Sequence, residues 1–189
     1  MSNFENNIVE DTKYSNYLQL LSDYLLENYG LQTIYDDVVD EDFYMGSYDG
    51  SSIIVKNSLS HEYKLFLVAH LFGHTIQWNH NFCKYKAIEQ ELPINKHGEL
   101  TKSQLNKLKS YEYEAAGYSI YILSESLGVD LSQWFSDWSN ADWEYFIALS
   151  DLNNKHNTEI KVKYGSKLIP KKRVPQTTRL RKFNRKYAY

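Results

Sequence analysis

Apolar residues recur at helical spacing from Tyr14 to Tyr29, at Tyr14, Tyr17, Leu18, Leu21, Tyr24, Leu25 and Tyr29, and Gly30 follows as a C-terminal stop. The spacing predicts a first helix. Between Leu31 and Asn57 the pattern changes to short runs rich in β-branched and aromatic residues, with Asp49-Gly50 as a hairpin turn ahead of the run Ser51 to Lys56. Two or three strands of a small sheet are expected there. Ser58 or Ser60 then caps a helix running to about Trp78. Its residues Leu65, Phe66, Leu67, Val68, Ala69, Leu71, Phe72 and Ile76 make it apolar nearly all round, which places it at the centre of the fold. Residues 79–100 are polar and irregular, with Pro93 and Gly98, and read as a loop or surface excursion. A helix from about Lys102 to Leu127 is closed by Gly128, Asp130 to Gln133 fits a capping box for another, and Ser139 to Asp142 offers the start of a further one. Helix, small sheet, buried helix and more helices make an α+β order. The pattern predicts a single domain over residues 1–160, followed by an extended arm over 161–189 that contains Pro170 and Pro175.

Composition narrows the class. A chain of 189 residues, 42% hydrophobic and 24% charged, fits one ordinary globular domain and excludes disordered, low-complexity and collagen-like classes. Cys83 is the single cysteine, which rules out an internal disulfide and a thiolate zinc cluster, so any metal must sit on His and carboxylate. The net charge of -3 is the sum of two unlike parts. Residues 161–189 carry 11 Lys and Arg and no acid, leaving 10 basic residues against all 24 acids in the first 160. Tyr164, Phe183, Tyr187 and Tyr189 interleave the basic residues, a composition able to follow a nucleic-acid backbone. The favoured reading is an arm that wraps its own acidic body or meets a protein partner.

No basic segment precedes an apolar run at the N-terminus, so a bacterial-type cytoplasmic protein is expected. Leu65 to Cys83 lacks Asp, Glu, Lys and Arg for 19 residues, near the length of a bilayer span. His70, Gly73, His74, Thr75, Gln77, Asn79 and His80 make its second half too polar for lipid, and no membrane association is expected.

The candidate chemistry lies in that same segment. His70 and His74 are four residues apart, which puts both imidazoles on one helix face about 6 Å apart along the axis. Two polar rings on the most apolar helix of the chain need partners, and one metal ion satisfies both. A third ligand is sought in Tyr111 to Tyr118, where acids are followed by small residues that let helices pack closely. Glu114 is preferred and Glu112 is the alternative; they point about 200° apart around the helix, so only one faces the metal. His80, six residues after His74, is a further alternative ligand, with Asn79 able to supply a turn. His61, His97 and His156 read as surface residues. The group Trp134, Phe135, Trp138, Trp143, Tyr145 and Phe146 reads as core packing.

The run Ile53 to Ser60 leading into Phe66-Leu67-Val68-Ala69-His70-Leu71-Phe72-Gly73-His74 resembles the minimal zincin domain of the ImmA/IrrE metallopeptidase family, over roughly residues 15–127. The resemblance implies a zincin-like fold and a zinc ion. It places the family's two metal-binding histidines on His70 and His74 and its downstream ligand on Glu114, which opens Glu114-Ala115-Ala116. The family's catalytic glutamate, directly after the first histidine, is here Leu71. Leucine cannot accept a proton, and base catalysis is worth about 10²–10⁴ in rate. Glu112 and Glu62 are candidate replacement bases, and Tyr118 and Tyr121 candidate oxyanion stabilisers. Two histidines and a carboxylate without a base also form a ligand set for iron(II) in non-haem redox enzymes. The expectation is a metal-dependent enzyme, with zinc or iron(II), acting on a peptide or small-molecule substrate without ordinary peptidase activity. The alternative is an inactive pseudo-peptidase serving as an interaction module.

Overall fold

The computed structural model describes residues 3–37, 45–91, 100–150, 160–176, 180–182 and 187–188. They form α1 (Asn3–Tyr29), β1 (Gln32–Asp36), β2 (Gly46–Tyr48), β3 (Ser52–Lys56), α2 (His61–His80), α3 (Phe82–Glu91), α4 (Lys102–Leu127), α5 (Ser132–Ser150) and β4 (Tyr187–Ala188). The architecture is α+β and mostly helical, as the pattern predicts.

Helix α1 buries Leu18, Leu21 and Leu25, and stops where Gly30 turns with φ +64°. β1 then pairs parallel with β3, while β2 and β3 form an antiparallel hairpin, giving the order β1-β3-β2-β4. The hairpin closes at Asp49-Gly50 as expected. Asp49 Oδ1 accepts from the backbone N–H and hydroxyl groups of both Ser51 and Ser52, and Gly50 takes φ +83°, open to glycine at no steric cost.

Helix α2 is the centre of the molecule. Ser60 caps it by accepting from Tyr63 N–H at 3.3 Å, and every residue from Lys64 to Trp78 is buried. The sheet, α1 and α4 all pack against it. Helix α4 opens on a Thr101–Gln104 capping box and ends where Gly128 adopts the left-handed conformation, φ +65°. Among the described residues no helix is long and apolar enough to cross a membrane.

Two expected elements differ. Part of the segment read as a loop is helix α3, begun by the Asn81 side chain accepting from Lys84 N–H at 3.2 Å, with Tyr85 buried. Pro93 and Gly98 lie outside the described residues. The break expected at Ser139 does not occur, and α5 is continuous. Ser136 and Asn140 donate to the carbonyls four residues back, at 2.7 Å each, and so stay within the helix instead of starting a new one.

The arm is seated on the body. Ser166 N–H donates to Asp137 Oδ1 at 2.8 Å, Ile169 N–H to Ser136 Oγ at 2.9 Å, and Lys172 N–H to the Gly117 carbonyl at 2.9 Å. A Cβ at Gly117 would stand 2.9 Å from the Pro170 oxygen, so α4 needs glycine where the arm crosses. Ile169, Val174 and Leu180 are buried, and Lys163, Lys172 and Lys182 pair with Glu144, Glu114 and Asp49. The arm thus lies against its own acidic body.

Candidate metal centre

Helices α2 and α4 pack closely at Gly73. A Cβ there would collide with the Ala115 carbonyl oxygen and stand 2.7 Å from Ser119 Oγ, which itself donates to the Ala69 carbonyl at 2.7 Å. Ala115 and Ser119 therefore mark the face of α4 that looks at α2. The residue one turn earlier on that face is Glu112.

Glu112 is accordingly the acid that joins the histidines. His70 Nε2 and His74 Nε2 are 3.0 Å apart, and Glu112 Oε2 lies 3.2 Å from the first and 3.1 Å from the second. The three residues could hold a metal ion. Ligands about 2.0–2.1 Å from a tetrahedral ion are about 3.3 Å from one another, close to these spacings. Both imidazoles are 3% exposed in their side chains, whereas Glu112 is 22% exposed, so the cluster is approached from the carboxylate side.

A residue missed in the sequence sets the ligand state of His74. Gln77 Nε2 donates to the Tyr111 carbonyl at 2.8 Å, and that oxygen only accepts, so the other end of the amide is the carbonyl Oε1. Gln77 Oε1 lies 2.9 Å from His74 Nδ1, which must then carry the hydrogen. In a neutral imidazole this leaves the Nε2 lone pair facing the cluster, the tautomer a metal needs. The available signal was a buried amide three residues after a histidine on an apolar helix.

Aromatic rings hold the imidazoles in place. Phe66 stacks on His70 at 5.5 Å, Tyr48 stacks on His74 at 5.9 Å, and the Tyr111 ring is 4.9 Å from His74. Trp78 Nε1 donates to the Tyr111 hydroxyl at 3.0 Å, and burial pushes that phenol far above its usual range, so it stays neutral. Burial also pushes His70 down, with the neighbouring His74 adding to the effect and Glu112 opposing it. Burial alone would raise Glu112. The facing imidazoles outweigh it and hold the carboxyl well below the usual range.

Glu114, the expected ligand, points elsewhere. It is one residue before Ala115, about 100° around the helix from the face that meets α2. Its carboxylate accepts from Tyr85 at 2.8 Å and Lys84 at 3.1 Å and pairs with Lys172 of the arm. His80 is at the exposed end of α2, and because the helix runs on past His74 without a turn, six residues carry it about 9 Å further along the axis.

Tyr118 and Tyr121 lie under the arm, with Lys172 Nζ 4.8 Å from the first ring and Lys171 Nζ 5.4 Å from the second. Glu62, a candidate base, accepts from the indoles of Trp134 at 2.8 Å and Trp138 at 3.2 Å. Those indoles and Phe135 belong to or pack against the core as expected, whereas Trp143, Tyr145 and Phe146 of the same aromatic group lie outside it, partly buried. His61 pairs with Asp11 at 2.8 Å, while His97 and His156 lie outside the described residues. Leu71 is wholly buried beneath β2, where a Cβ on Gly46 would be 2.9 Å from its Cδ1. Comparison with protein-family models, curated proteins and solved structures found no match.

Proposed function

We propose that the chain is a metal-dependent enzyme on a zincin-like core of the ImmA/IrrE kind, with the ion held by His70, His74 and Glu112. The observation that carries this is the convergence of three donor atoms, from two helices, with one partly exposed carboxylate among them. Structural zinc sites close with four protein ligands, whereas catalytic sites stop at three. A divalent ion bound here supplies Lewis acidity to a substrate oxygen.

The chain's own residues do the rest. Gln77 and Tyr111 fix the His74 tautomer, and Phe66 and Tyr48 keep water from the imidazole faces. Glu112 is spent as a ligand, Glu62 is occupied by two indoles, and Leu71 fills the place of the family's base. This distribution supports a reaction that draws no proton into a carboxylate at position 71, and so argues against ordinary peptide hydrolysis.

One observation favours a second reading. Two histidines and one carboxylate backed by the apolar Phe66 ring also suit iron(II) and redox chemistry. Elemental analysis of the purified protein and its His74→Ala variant tests both. Stoichiometric zinc lost in the variant supports Lewis-acid chemistry, and stoichiometric iron supports the redox reading. A metal-free wild type refilled by neither ion overturns the proposal.

A further inference from the structure

β2 borders the donor cluster, since its Tyr48 stacks on the His74 ring. The outer edge of such a strand presents unpaired backbone groups. Here the chain's own C-terminal segment fills it, running antiparallel with Tyr48 opposite Tyr187 and Ser47 opposite Ala188.

Three contacts lead the segment to that edge. Leu180 is buried. The backbone N–H of Arg181 donates to Asn79 Oδ1 at 2.7 Å, and Asn79 is itself oriented by donating to the Thr75 carbonyl at 3.0 Å. Lys182 Nζ reaches Asp49 Oδ2 at 3.2 Å. Asn79 is five residues past His74 on α2, about 7.5 Å further along the axis, and Asp49 is one residue past Tyr48, so the two acceptors flank the β2 edge on the side of the strand's end. An apolar seat, a backbone acceptor and a carboxylate, met by three successive residues, recognise an apolar-x-basic sequence in extended form.

The seat is shallow. The side chain of Lys182 is 71% exposed, an ion pair in that setting contributes little, and the ladder to β4 is two residues long. What keeps the segment in place is its tether, which presents it at an effective concentration on the order of millimolar. A strand held this way yields to a free peptide of the same pattern.

We propose that the β2 edge, with Asn79 and Asp49, is a docking groove for an extended basic peptide, filled in the resting chain by Leu180, Arg181 and Lys182 and by Tyr187 and Ala188. The proposal rests on the metal reading only in that a docked peptide would lie beside the ion; docking itself needs none. The test uses full-length protein, with and without added zinc, and a fluorescent peptide copying residues 180–189, read by anisotropy. Lys182→Glu with Tyr187→Pro unseats the arm, because one change reverses the ion pair and the other removes a ladder donor.

The unseated variant is expected to bind the peptide at least ~10-fold more tightly than wild type, because the competing arm is gone. Adding Asn79→Ala should reverse that gain. Hydrogen exchange over residues 46–48 should accelerate in the variant while α2 and β3 keep their protection. Equal affinity of wild type and variant, indifference to Asn79→Ala, or unchanged exchange at 46–48 overturns the proposal. Peptide docking without uptake of zinc or, in a parallel titration, iron(II) would leave the groove standing and remove the metal reading; metal uptake without docking would do the reverse.

Discussion

Glu112 and Glu114 are two residues apart on one helix, and both are held far below the ordinary carboxylate range, for different reasons. Against the upward push of burial, Glu114 is brought to about 2 by Lys172, Tyr85 and Lys84. Its countercharges belong to the chain. Glu112 is held down by two imidazoles, one of which burial drives towards neutrality, so the chain supplies no permanent cation there. A carboxylate whose cations are built in is a structural clamp. One whose neighbours are lone-pair donors has a place for a cation from solution, and the difference arises from a 200° rotation around α4.

The sharpest way to break this comparison is to neutralise each acid in turn. Glu112→Gln should weaken zinc or iron(II) binding by more than ~100-fold, beyond the effect of losing a supporting residue, while Glu114→Gln leaves it unchanged in calorimetric titration. Equal losses would show that the two acids do not have separate roles.

Gly73→Ala attacks the geometry that selects Glu112. Its methyl meets the Ala115 carbonyl, so a loss of about 1–3 kcal/mol is expected in denaturant unfolding, together with weakened metal binding. Gln77→Leu leaves the crossing intact but frees the His74 tautomer, and metal affinity should fall by about 10–100-fold with little change in the apo protein's fold.

The smallest effect concerns Glu114 and pH. Its folded pKa of about 2 lies below the ordinary 4.5, so its stabilisation is complete above 4.5 and is lost as pH falls towards 2. With Lys84 and Lys172 nearly half exposed, the contribution is on the order of 1 kcal/mol after screening. Wild type should lose stability over that window relative to Glu114→Gln, and parallel curves would remove the clamp from the account.

Most elements were legible because their signals are local. The capped apolar helix with His70 and His74 on one face, the Asp49-Gly50 turn and the Gly128 stop each follow from residues a few positions apart. Helix α3 was hidden by its polar composition. The unbroken α5 was hidden because Ser and Asn read as helix starts until their side chains are seen bonding back to α5 carbonyls.

At the site, Glu114 looked better than Glu112 because small residues follow it directly. Contact across helices follows a three-to-four residue ladder, however, and Glu112, Ala115 and Ser119 lie on it. That ladder was present in the sequence, but only the close approach at Gly73 identifies it as the face that meets α2. Glu62 could not be discounted in advance, since the indoles that occupy it come from residues 72 and 76 positions away.

The sequence by itself determined the helix that carries the two imidazoles, the exclusion of thiolate ligands, and the division into an acidic body and a basic arm, because periodicity, composition and charge need no partner to be read. Only the tertiary structure decided which glutamate faces the histidines, how the amide that sets the His74 tautomer is oriented, and where the arm comes to rest. Each of those depends on a contact between segments far apart in the chain, and close packing at one glycine allows only one of the two acids to reach the site.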